Sequence, residues 1–500
     1  MYRSLLGALL VIVLTAWATP QPSAGQGIPG FVGCDVLLGG GPIAIAAGAF
    51  RSGAMDLAVV DAANNKVIIL LINRGRLAHG DCVGGVARTD VSVSNGPVAV
   101  AAGDLDENGT VDLAVAVSTG VSILRGDGNG GFTAEAPIAA GKGPQAVAIV
   151  EAGRAQVCHD LDGDCASDIV VGNGDGNSIT ILYGKASGGF ESASVDVDGP
   201  VSFVLAQDLN DDGVIDISAG SNENGTIWLF FQDPLVRRSF PSQGSFGVDV
   251  APTAMVAGSF KDPAITDMAI TTAGTRKLSI FLGPLPTSPG SVRTPTTSVD
   301  TGQNPSAAAA DDFNDDGNLD IAVANRDDAT VAFYAGDGHG GLSEVSGNCS
   351  VSQGLRCVVG AGPRAMILAD LDGDGRNDVI TANQDAGSIT LLLSSRPAAT
   401  PTFTATPTPT STGTATSTAT PTDTPTETPT PTCTSTPTPS RTPPPTFTFT
   451  STPTPGPHCI GGVCVQGPGC SIGRNAGTTA SAGWWWLPAV MFWLLRRQPQ

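Results

Sequence analysis

The chain has 500 residues and a formal net charge of −21, from 46 acids against 25 bases. That excess argues against nucleic acid or an anionic membrane surface as partner, since binding either begins with positive charge. Hydrophobic residues at 41%, 64 glycines and 10 cysteines fit short strands and tight turns around a sizeable core, in a compartment that permits disulfides.

Residues 1–26 read as a secretory signal. Arg3 precedes an apolar stretch at 5–17, then come Ala16-Trp17-Ala18 and a small-residue tract ending near Gly27. The stretch is too short for a comfortable membrane-spanning helix; the alternative is an N-terminal anchor. Residues 31–38 follow as an isolated strand just before the first Gly-Pro.

Five times the chain then spells Asp-x-Asp/Asn-x-Asp/Asn-Gly/Cys-x-x-Asp between apolar runs rich in Val, Ile and Ala. The first two copies carry Asp104, Asp106, Asn108, Thr110 and Asp112, then Asp160, Asp162, Asp164, Ala166 and Asp168. The third has Asp208, Asn210, Asp212, Val214 and Asp216, and the fourth Asp312, Asn314, Asp316, Asn318 and Asp320. The fifth has Asp370, Asp372, Asp374, Arg376 and Asp378. Oxygen donors at alternate positions of a tight loop suit a hard cation, and Ca²⁺ takes six to eight of them. The expected ligands are the side chains at positions 1, 3, 5 and 9 and the backbone carbonyl at position 7, giving about five Ca²⁺. An EF-hand is excluded. Its bidentate Glu at position 12 is replaced here by Val115, Val171, Ala219, Val323 and Thr381, and the flanks favour strands over helices.

Two further units have lost the acids: Gly48-Ala-Phe-Arg-Ser-Gly-Ala-Met-Asp56 and Gly258-Ser-Phe-Lys-Asp-Pro-Ala-Ile-Thr-Asp267. Both keep the closing Asp and the apolar run after it. Loop starts at 49, 104, 160, 208, 259, 312 and 370 then recur every 48 to 58 residues, the period of a propeller blade. In the second unit the four expected strands are 98–103, 113–117, 120–125 and 132–137, and the last unit ends after its third, at 388–393. The fold expected is all-β: a seven-bladed propeller over 28–395, closed by pairing the strand at 31–38 with the last strand.

The Gly-Pro-x-Ala-Val-Ala strand, the acidic loop and the Gly126-Asp-Gly-Asn-Gly-Gly-Phe132 turn resemble FG-GAP/VCBS repeats, as in the integrin α-subunit propeller and many secreted bacterial proteins. The resemblance implies Ca²⁺ on one face of the ring. It says more about fold than about activity.

Residues 397–457 are almost wholly Thr, Pro and Ser, a composition that buries no core and favours an extended spacer. The tail at 458–500 holds Cys459, Cys464 and Cys470, a short apolar run at 484–495 and Arg496-Arg497. It resembles a bacterial sorting signal of the MYXO-CTERM kind; an interfacial anchor is the alternative. Local disulfides are expected for Cys158 with Cys165, Cys349 with Cys357 and Cys459 with Cys464, and Cys34 with Cys82 would lie on neighbouring outer strands.

Arg125-Gly126-Asp127 spells an integrin-ligand tripeptide but belongs to the repeated Gly-rich turn. The four histidines, His79, His159, His339 and His458, share no position in the repeat, and no nucleophile elbow or phosphate loop stands out. The expected function is therefore a secreted or surface-displayed, non-catalytic module for a protein or glycan ligand, with attachment through the tail. The alternatives are an extracellular carbohydrate-active enzyme of the lyase or dehydratase type and a structural envelope component.

Overall fold

The computed structural model describes residue 28 and residues 30–394, except 83, 153–159, 291–292 and 351. The expected signal, the Thr/Pro tract and the tail lie outside the described residues, together with Cys158, His159, Cys459 and Cys464.

The described chain forms seven antiparallel sheets, five of them built from four consecutive strands running from the axis outward. Blade 1 pairs Pro42–Arg51, Ala54–Asp61, Lys66–Ile72 and Val86–Ser92 in that order, and blades 2 to 5 repeat the pattern. The innermost strands are Pro42–Arg51, Ala99–Gly103, Pro144–Val150, Phe203–Gln207, Pro252–Gly258, Pro305–Asp311 and Pro363–Ala369. Each packs against the one before and the one after, and the last packs against the first, so the ring is closed.

Closure takes the expected form. Phe31–Leu37 is the outer strand of blade 7 and runs antiparallel to Ser388–Ser394, with Phe31 opposite Ser394. The Phe31 ring is buried and stacks on Phe333 at 4.9 Å, with Phe313 edge-on at 6.4 Å. Cys34 is disulfide-bonded to Cys82, which ties this strand to blade 1.

The core lies between blades. Asp112–Val117, Asp168–Asn173, Asp320–Asn325 and Asp378–Asn383 are buried at every residue because a neighbouring blade covers each face of these second strands. Side-chain alternation divides the strand between two cores: Leu113, Val115 and Val117 pack toward blade 1, and Ala114 packs toward blade 3. Outer strands such as Phe190–Asp196 are mostly exposed.

Some details differ from the sequence expectation. The fourth strand of blade 2 is only Phe132–Ala134, and its second strand starts one residue early, at Asp112. Blade 6 has a compound outer edge, where Leu342–Val345 pairs with the far part of Thr330–Gly336 and Arg356–Val358 pairs with its start. A Cys349–Cys357 disulfide clips that insertion.

Candidate metal centres in the acidic loops

Every acidic loop joins the first and second strands of a blade, so all five lie on one face of the ring. Position 1 shapes the loop by accepting backbone N–H groups from inside it. Asp104 accepts from Asn108 and Gly109, Asp208 from Asp212 and Gly213, and Asp312 from Asp316 and Gly317. Asp160 accepts from Gly163 and Cys165, and Asp370 from Gly373 and Gly375. Position 5 accepts the N–H of position 7, as Asn108 does from Thr110 and Asp374 from Arg376. These are Asx turns, and they draw the side-chain oxygens inward.

Position 9 has a second role that the sequence pattern did not disclose. Asp112, Asp168, Asp216, Asp320 and Asp378 are fully buried, and each uses both oxygens on backbone donors. Asp378 Oδ2 accepts from Leu371 at 2.9 Å and Oδ1 from Ser394 at 2.8 Å, which binds the loop to the end of the third strand. In the blades without the other acids, Asp267 does likewise with Phe260 and Gly283, whereas Asp56 accepts the Ile72 N–H on Oδ1 and the Arg51 guanidinium on both oxygens. The closing aspartate therefore holds the blade together whether or not its loop carries the other acids. Its remaining lone pairs are what it has for a cation.

The structure brings Asp104, Asp106 and Asp112 together, as it does Asp160, Asp162 and Asp168, and Asp370, Asp372 and Asp374, with ligand oxygens within 4.8 Å of one another. In blades 4 and 6 position 3 is an amide, and Asn210 and Asn314 each donate 3.0 Å hydrogen bonds to Asp212 and Asp316. Among the position-7 residues, Thr110, Asn318 and Arg376 are half-buried, and Ala166 and Val214 are buried. Burial pushes the carboxyls of Asp168, Asp216, Asp320 and Asp378 up to about 7, against the pull of their backbone donors. Burial raises Asp112 as well, while Gly126 N–H and the Arg125 guanidinium oppose it. Buried carboxylates crowded in this way favour a proton or a cation among them. A set of hard oxygens fits Ca²⁺ better than a softer metal.

Arginines already answer part of that demand, a feature the sequence pattern missed. Arg125 Nη1 lies 2.8 Å from Asp112 and 3.6 Å from Asp106 in blade 2. In blade 3, Arg238 from the next blade pairs with Asp162 and lies over the Tyr183 ring at 4.2 Å. In degenerate blade 1 a basic residue stands at position 3, where Arg51 pairs with Asp56 at 3.2 Å. Blade 5 has Lys261 at the equivalent place. The signal was legible in principle, because a base at position 3 coincides with the loss of the other acids.

Position 4 links neighbouring blades. Glu107, Asp211 and Asp315 adopt positive φ and reach outward. They meet Ser167, Thr266 and Arg376 respectively, each on the following blade.

The Arg125-Gly126-Asp127 tripeptide is not presented as an exposed motif. Its arginine points into the acidic loop, and Asp127 Oδ1 accepts from Asn129 and Gly131 to close the hairpin. Asp337 repeats that turn with His339 and Gly341.

Residues 312–381, which span the acidic loop of blade 6 through the second strand of blade 7, match the FG-GAP-like repeat family. That stretch is similar to the family, and the seven sheets make the described chain a seven-bladed β-propeller. Among solved structures it is similar to BBS1N in complex with ARL6DN, soaked with lead, at 14% identity and TM-score 0.49, over 75% of this chain and 98% of that one. The mercury-soaked crystal of the same complex gives 14% identity and TM-score 0.48, over 76% and 96%. A protein from Lactobacillus plantarum gives 13% identity and TM-score 0.45, over 65% and 86%. Likenesses at this level add nothing to a fold already fixed by strand pairing. No curated protein matches the chain.

Proposed function

We propose that the chain is a secreted propeller, stiffened by Ca²⁺ and displayed on or released from a bacterial surface, that binds a protein or glycan ligand without catalysis. The observation that carries the metal half is an acidic loop that recurs five times in the sequence and, in blades 2, 3 and 7, gathers three carboxylates with oxygens within 4.8 Å of one another. Asp, Asn and backbone oxygens at positions 1, 3, 5, 7 and 9 would hold the ion, which supplies charge neutralisation when bound. The residues themselves set the loop's shape and anchor it to the strands on either side. The disulfides at Cys34–Cys82 and Cys349–Cys357 agree with an oxidising, extracellular setting. The Thr/Pro tract and tail suggest display away from the site of attachment.

Metal analysis of the purified chain, after dialysis against saturating Ca²⁺, tests the loop assignment. About five ions per chain are expected, with dissociation constants of roughly 10⁻⁴ to 10⁻³ M. A count of zero or one defeats it. A glycan array and a surface-protein pulldown test the binding half, and failure of both would leave only a structural envelope component.

A further inference from the structure

On the face opposite the acidic loops the axis of the ring opens into a cavity of about 800 Å³ lined by residues from all seven blades. Its wall has a sequence rule. Each inner strand is entered through a proline, and in blades 1, 3, 5, 6 and 7 the pairing register shifts immediately after it. The residue left out of register is Ile43, Gln145, Thr253, Ser306 or Arg364, and each one lines the cavity. Val98 and Val201 hold the same place after Pro97 and Pro200. A bulge re-aims the side chain of its extra residue, and here the repeat does so in five of the seven blades. These positions set the chemistry of the mouth, with Val201 and Ile43 buried in its wall.

Their chemistry is two-sided. Blades 1 and 2 contribute Ile43 and Val98. Blades 6 and 7 contribute Arg364 and, from the turn after the second strand, Arg326. Arg326 is held by Gln384 at 3.2 Å and Asp385 at 3.5 Å. Arg364 makes no ion pair among the described residues, and both burial and Arg326 lower its pKa. Two neighbouring guanidinium groups, one of them paired with Asp385, thus stand on one side of the cavity. Across the mouth, blades 3 and 4 offer Asp175 and Glu223 with the amides of Gln145, Asn177 and Asn222. Phe203 also lines this side.

We propose that this mouth binds a carboxylated sugar residue, a uronic acid within a glycan, with its carboxylate on Arg364 and Arg326. A guanidinium fork matches a carboxylate bidentately. Amides and acids on the far side match ring hydroxyls, which both donate and accept. The apolar arc and Phe203 match the C–H face of a pyranose. A lone inorganic anion would use the arginines and leave the rest unused, and a polar cavity of this size is within the range of ordinary ligand sites. The inference rests on the binding-module function proposed above and names its ligand class and position.

The test is calorimetry on the full-length chain, in Ca²⁺-containing buffer, with trigalacturonate, its methyl-esterified form and inorganic phosphate as probes. Trigalacturonate should bind saturably at one site, at least tenfold more tightly than the ester or phosphate. Arg364→Gln and Arg326→Gln should each weaken it about tenfold or more, with melting curves confirming that both variants fold. Arg76→Gln, an exposed arginine on blade 1 outside the mouth, should leave it unchanged. Equal binding of the ester, binding of phosphate as tight as of the sugar, insensitivity to both mouth variants, or no binding would each overturn the proposal. A protein or glycan ligand found by pulldown or array that ignores Arg364→Gln would leave the binding-module function standing while this site fell. No ligand by any route would remove both.

Discussion

Asp267→Ala isolates the architectural role of the closing aspartate, because blade 5 lacks the other acids. Asp267 is 2% exposed, with Oδ2 accepting the Phe260 N–H at 3.0 Å and Oδ1 the Gly283 N–H at 2.6 Å. Alanine removes both acceptors and leaves two N–H groups without partners beside a packed strand. Each buried donor left unsatisfied costs about 1–3 kcal/mol, so the variant should lose about 2–6 kcal/mol. A small cavity adds to that loss, and any water admitted to the site reduces it. The assay is urea unfolding of the full chain, run once with Ca²⁺ and once with EDTA. The loss should be the same in both, since no cation cage surrounds this residue. A loss below about 1 kcal/mol, or one present only with Ca²⁺, would refute the claim that position 9 is first a strand tie.

Other outcomes follow from the same geometry. Arg125→Met withdraws the guanidinium from Asp106 and Asp112, so the loop of blade 2 should bind Ca²⁺ several-fold more tightly, as read by calorimetry; unchanged affinity would show that Arg125 does not compete. With divalent ions chelated, Asp168, Asp216, Asp320 and Asp378 titrate near 7 in the fold against an ordinary 3.8, so the folded state holds more protons between those values. Stability should then be greatest below about pH 4 for these groups and fall as pH rises through 7, a slope that saturating Ca²⁺ should flatten, measured by melting temperature against pH. Removing residues through Gly40 deletes the outer strand of blade 7, the Phe31 stack and the Cys34–Cys82 bond, and should cost solubility and lower the melting temperature. A truncated chain that melts like the intact one would contradict ring closure by this strand.

The sequence alone determined the blade count and the place of each acidic loop in its blade, though not the compound outer edge of blade 6. Each depends on a local pattern: an acidic turn, a Gly-Pro entry and an apolar run, repeated at one spacing. Even the closing strand was legible, since the last unit stopped one strand short and the first strand had no unit of its own. The loop acids were legible for the same reason, because Asx turns form between residues two to five apart. What only the tertiary structure decided lies between blades or across the axis. That Asp267 and Asp378 tie strand ends together depends on the third strand, sixteen residues downstream, delivering Gly283 and Ser394. That Arg238 answers Asp162 depends on two blades meeting, 76 residues apart in sequence. Arg364 gains its significance in the same way: it is an unremarkable base after a proline until ring closure sets it beside Arg326 and opposite Asp175 and Glu223. A repeat fixes the short-range geometry of every unit, whereas charge pairing across a closed ring is a long-range property that no single unit encodes.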